Sequence, residues 1–147
     1  MQTLNQHISI FNNFATNHKQ INSFGVGELW ELTEKNGDRV YSIMWMVIEP
    51  HNVAGNELID NYTFVFADIV RPDESNENEV LSDEKQKALD LLSFLRFSDE
   101  INSATNIIKA SNLTPFTEKF EDCLAGWILT VQIKQAFTYN YCDAPIN

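Results

Sequence analysis

The nine residues Val40 to Ile48, VYSIMWMVI, are apolar nearly throughout. A run this short cannot cross a bilayer, which needs about 20 apolar residues. It lacks the polar alternation of a strand with one wet face. It therefore reads as a central strand buried on both faces, in a sheet that must be covered on both sides. Pro50 ends it.

The flanking patterns supply the rest of that sheet and its cover. Leu4, Ile8, Phe11 and Ala15 recur at helical spacing, with Phe14 widening the stripe, and Thr3 with Gln6 forms a capping-box pair. A helix is expected from Thr3 to His18. Glu28 to Thr33 alternates Leu29 and Glu31 against Trp30 and Leu32, a weak strand signal, and Lys35-Asn36-Gly37-Asp38 is a turn. His51 to Asn56 reads as a loop. Glu57 to Val70 alternates well, with Tyr62, Phe64 and Phe66 on one side and Thr63, Val65 and Ala67 on the other.

A second helix is expected from Val80 to Phe97, with Leu81, Ala88, Leu92 and Leu95 as its buried stripe and Leu89 and Leu91 beside it. Asn76 followed by Glu79 gives it a cap, and acidic residues suit a helix N-terminus. Ser98 to Thr105 connects, with Ile101 tucked back. Asn106 to Leu113 and Leu124 to Tyr139 are strands around a loop, Pro115 to Asp122. On the last strand Trp127, Leu129, Val131, Ile133 and Phe137 face the core, while Thr130, Gln132 and Lys134 face out. The order α-β-β-β-α-β-β predicts an α+β fold, a mainly antiparallel sheet packed with two helices, in one domain over residues 1–147. With 44% hydrophobic residues, ten Phe, four Tyr and three Trp, such a chain should bury about 68–70% of the surface it exposes unfolded.

The charge is −11 and uneven: residues 57 to 105 hold 12 acidic and 4 basic residues, a net of −8. Lys and Arg form no cluster. Direct nucleic-acid binding and attraction to anionic membranes are both disfavoured on that ground. A negative face can repel DNA or meet a basic protein. Cys123 and Cys142 are outside any CxxC pair and read as free thiols. The start, MQTLNQHISIFNNF, lacks the basic region and apolar run of a signal peptide, and Asn61-Tyr62-Thr63 and Asn112-Leu113-Thr114 read as chance glycosylation patterns.

Chemistry is sparse. His7 and His18 are about 16 Å apart along one helix at ~1.5 Å per residue, so they cannot share a metal, and both read as surface residues. His51 reads as a solvated loop residue. Gly25-Val26-Gly27 lacks the strand-glycines-helix context of a dinucleotide fingerprint. Asp73, Ser75, Glu77, Glu79 and Glu84 sit at positions 1, 3, 5, 7 and 12 of a calcium loop, but position 6 is Asn78 where glycine is required, so an acidic helix start is the better reading. Cys123 has no histidine near it in sequence. Trp30, Trp45 and Trp127 read as core residues on strands. No catalytic site, cofactor or metal is expected, and the chain reads as a non-enzyme.

Two stretches carry a resemblance: Arg71 to Arg96, RPDESNENEVLSDEKQKALDLLSFLR, and Thr114 to Pro145, TPFTEKFEDCLAGWILTVQIKQAFTYNYCDAP. With SFGVGELWEL and YSIMWMVIEP they are similar to tail terminator and neck (head-tail connector) proteins of tailed phages of Bacteroidetes, crAss-like phages among them. The resemblance implies a structural virion protein, a homo-oligomeric ring of six or twelve copies that caps the tail or joins it to the head. Its implied partners are portal, neck or tail proteins, with DNA passing the lumen and no membrane. It implies interface or lumen contacts at Asp73, Glu74, Ser75, Asn76, Glu77 and Glu79, and at Phe116, Glu118, Phe120 and Asp122. A different class stays open: an acidic protein that mimics DNA and occupies a host protein's basic groove.

Overall fold

The computed structural model describes residues 2–33, 40–98, 107–117, 123–136, 142 and 144–146. Among these residues the chain is α+β, with one mixed sheet and three helices. In order these are α1 (Leu4–Asn17), β1 (Ser23–Val26), α2 (Leu29–Thr33), β2 (Ile43–Ile48), β3 (Asn52–Ala54), β4 (Glu57–Ile69), α3 (Glu77–Phe97), β5 (Ile107–Phe116) and β6 (Leu124–Ala136). The strands lie in the order β1-β2-β4-β6-β5, with β3 also paired to β4. Among the described strands only β1 and β2 run parallel.

The longest seam is β4 with β6. It runs unbroken from Glu57 opposite Ala136 to Ile69 opposite Leu124. Gly126 is required there: a Cβ on it would stand 1.7 Å from the Phe66 carbonyl oxygen. Residues directly opposite share a face, so Tyr62, Phe64 and Phe66 line up with Val131, Leu129 and Trp127. That face, with Met44 and Met46, takes Ile10, Phe11 and Ala15 from α1 and Ala88, Leu91 and Leu95 from α3. The opposite face carries Ile43, Trp45, Val65 and Ala67, covered by Leu32 of α2 and by Phe116. Met44 to Val47 are all buried, as a strand covered on both sides requires.

The expected strand over Glu28 to Thr33 is instead the helix α2. Its Leu32 side chain, fully buried, caps the second face, and the Trp45 indole donates to the Glu28 carbonyl oxygen at 3.2 Å. Alternation over six residues was outweighed by a tertiary need for cover. Trp30 consequently lies on a helix and is 59% exposed. β1 and β3 are additional strands. Gly25 sits within β1, opposite Trp45, whose ring occupies the space a Cβ would need. The glycine pair thus has a packing reason. Pro115 belongs to β5, not to the loop after it. The 35–38 turn, Ile101, Asn106, Phe137 and Tyr139 lie outside the described residues.

Candidate functional site

α1 starts as its sequence requires. The Thr3 hydroxyl accepts from the Gln6 amide, and the Gln6 side chain accepts from the Thr3 amide. The helix, however, is rotated from the expected stripe. Leu4 is exposed, and His7, Ile10, Phe11 and Ala15 are buried. His7, expected on the surface, is fully buried.

Its surroundings form a polar node at one end of the sheet. His7 Nδ1 lies 2.7 Å from the Tyr62 hydroxyl and 3.5 Å from Asp60 Oδ2. Asp60 is itself buried, on the β4 face that carries Tyr62 and Phe64. Its Oδ2 accepts from Gln135 Nε2 at 2.7 Å, and Gln135 Oε1 accepts from the Gln2 backbone amide at 2.7 Å. On the other side His51 Nδ1 approaches Asp60 Oδ1 to 2.9 Å. Despite that approach, Asp60 Oδ1 accepts no hydrogen bond. Both histidine rings stand edge-on to Tyr62. The Nε2 atoms of His7 and His51 are buried without a partner among the described residues. Burial lowers the His7 pKa, Asp60 opposing and His51 reinforcing. Burial, then Asp60, raises the Tyr62 hydroxyl.

A second node lies under α3. Ser42 Oγ donates to Glu84 at 2.9 Å, and Lys87 Nζ donates to Glu84 Oε1 at 2.7 Å and to Ser42 Oγ at 2.8 Å. All three residues are buried. Burial pushes the Glu84 carboxyl up, and its bonds to Lys87 and Ser42 resist that shift. The buried stripe of α3 is Val80, Glu84, Lys87, Ala88, Leu91 and Leu95; Ala88, Leu91 and Leu95 are as expected, while Leu81 and Leu92 are only partly buried.

The acidic loop is built from its own side chains. Asn76 Oδ1 accepts from the Arg71 amide at 2.8 Å, and its Nδ2 donates to the Ile69 carbonyl oxygen. Asn76 stands at the N-cap of α3, but its side chain serves the loop instead of the helix. Asp73 Oδ1 accepts from the Ser75 amide at 3.1 Å, and the bonds to Ser75 hold its carboxyl below the usual range. Glu74 adopts a positive φ, 59°. Asp73, Glu74, Ser75 and Glu79 are exposed, and Glu77 is half-buried. Glu84, the twelfth position of the calcium pattern, is committed to Lys87 and Ser42. Among the described residues, no group of three or more His, Cys, Asp or Glu is placed to hold a metal ion.

Phe116 is 3% exposed and packs beneath the sheet with Leu32 and Leu124, so within one chain it serves the core. Glu118, Phe120 and Asp122 lie outside the described residues. Cys123 and Cys142 are exposed and form no disulfide. His51, expected in solvent, is three-quarters buried against Asp60. The structure thus joins His7, His51, Asp60, Tyr62 and Gln135, a set that sequence reasoning left apart. A signal existed: period-2 counting along the two strands places Asp60 with Tyr62, and Gln135 with Ile133, on the apolar face.

Among the described residues, fold and site together define an α+β structure with an accessible acidic loop and two internal polar nodes. No protein-family model matches the chain, and no curated protein matches its sequence. No helix among the described residues is long and apolar enough to cross a membrane.

Proposed function

We propose that the chain is a structural subunit of a tailed-phage virion. It would join copies of itself into a ring of six or twelve at the neck or tail end, in contact with portal, neck or tail proteins. The observation that carries this reading is the pair of unlike sheet margins. Among the described residues the sheet ends in β1, four residues long and parallel to its neighbour, and in β5, ten residues long and antiparallel. A register shift at Asn112 and the proline at 115 interrupt β5, which leaves Ile107–Ser111 as its regular half. A contact between unlike margins that closes on itself generates a ring, and strand addition is a common form of such a contact.

Two further features support the reading. The carboxylates of Asp73, Glu74 and Glu79 point to solvent, which suits a lumen where DNA slides without adhering. The Ser42–Glu84–Lys87 node is turned inward to partners of its own, an arrangement suited to holding a scaffold. The resemblance of the two stretches to neck and tail terminator proteins is the reason for putting the proposed ring on the DNA path.

Native mass spectrometry of the purified chain and electron microscopy of virions test the proposal. The expected result is a closed ring, and the same chain in the particle's neck or tail. A monomer missing from assembled particles would sink it. A monomer that instead captures a basic nucleic-acid enzyme, with strong salt dependence, would favour the DNA-mimic alternative, which the exposed acidic loop also suits.

A further inference from the structure

One carboxylate serves two imidazoles at the Asp60 node. His7 comes from α1, Asp60 and Tyr62 from β4, His51 from the segment between β2 and β3, and the neutral Gln135 from β6. Asp60 Oδ2 already accepts from Gln135, and Oδ1 faces His51. A proton added to His7 therefore creates a charge that Asp60 must share. It also leaves a buried Nε2–H, since that atom has no acceptor among the described residues. Reorientation inside the node does not help, because Nδ1 is the atom that meets both Tyr62 and Asp60. A charged His51 adds repulsion. The remaining relief is hydration of His7, which requires the N-terminal turns of α1 to leave the sheet.

The same node holds the segment before the helix. Gln135 receives the Gln2 amide on its oxygen and donates to the Gln2 carbonyl oxygen at 3.3 Å while it also donates to Asp60. Disturbing Asp60 thus loosens Gln135, through which both of these bonds to Gln2 run. We propose that the His7–Asp60–His51 node is an acid-operated latch that releases the first turns of α1 from the sheet in mildly acidic conditions.

The sign follows from linkage. The His7 pKa is lowered in the closed state, so the released state binds the extra proton. Closure is fully favoured above the free imidazole value, ~6.5, and weakens as pH falls through it. For one linked proton, opening rises up to about tenfold per pH unit below that point.

Hydrogen exchange resolved by peptide tests this between pH 7.5 and 5.5, after correction for intrinsic rates. Opening of residues 4–17 should rise relative to α3 by up to about tenfold per pH unit, and His7→Gln should abolish that rise. His18→Gln should retain it, because His18 pairs with Asp90 elsewhere on the helix, at 2.9 Å. Equal acceleration in both helices, or a full pH response in His7→Gln, would overturn the proposal. Proton resonances of the native chain give a readout independent of any variant. A His7 imidazole that titrates below ~6.5 supports the latch, and one at or above it rejects the latch.

Discussion

The two buried nodes have similar ingredients and opposite closure. Under α3, Ser42, Glu84 and Lys87 satisfy one another: a carboxylate, a cation and a hydroxyl that donates to one and accepts from the other. At the end of the sheet, a carboxylate and two imidazoles leave His7 Nε2, His51 Nε2 and Asp60 Oδ1 without hydrogen bonds. A satisfied buried network rigidifies, and a partly satisfied one stores a cost that the right proton can release. The contrast assigns the first node to holding α3 on the sheet and the second to responding.

The largest effect should come from opening the closed node. Lys87→Met leaves Glu84 buried without its cation and should destabilise by about 3–5 kcal/mol in urea unfolding at pH 7. Burial already raises the Glu84 pKa, so the folded state is the better proton binder. The deficit should therefore shrink as pH falls toward the ordinary carboxyl value of 4.5. A deficit that grows on acidification would break the comparison. Next is Ser42→Ala, which removes a hydroxyl bonded to two charged groups and should cost roughly 2 kcal/mol. Smaller still is Tyr62→Phe, which removes a hydroxyl whose partner is the neutral His7, for about 1 kcal/mol. If Tyr62→Phe cost more than Ser42→Ala, the end node would be the better satisfied of the two.

How much of this was legible can be argued residue by residue. The helix-capping pair Thr3 and Gln6, the doubly buried strand at Met44 to Val47 and the alternation of β4 and β6 were all readable, because each depends on local pattern. Both helical stripes were legible in part: Phe11 and Ala15 on α1, and Ala88, Leu91 and Leu95 on α3, are buried as expected, while Leu4 is exposed. Apolar residues alone were counted, and the true stripes carry His7 on α1 and Glu84 with Lys87 on α3. A polar residue becomes a core residue only when a distant partner satisfies it, and those partners, Tyr62 and Ser42, lie 55 and 42 or 45 residues away. α2 was misread for a related reason: nothing in Leu29 to Thr33 states that Trp45 needs a roof. The acidic loop was found, but the internal uses of Asp73 and Asn76 depend on backbone turns that composition does not encode.

The β4–β6 seam has a consequence for the order of events during synthesis. Its paired residues stand between 55 and 79 positions apart in sequence. The β2–β4 pairing, by contrast, closes within the segment from Ile43 to Ala67. The middle of the sheet is therefore completed only when β6 leaves the ribosome. Until then β4 shows a strand margin beside Phe64 and Phe66, side chains that are fully buried once the fold is made. Long-range pairing of this kind is slow and leaves the nascent chain prone to association. A protein made in many copies at once would be most vulnerable in that interval, and a chaperone that shields β4 would raise the yield of native chains.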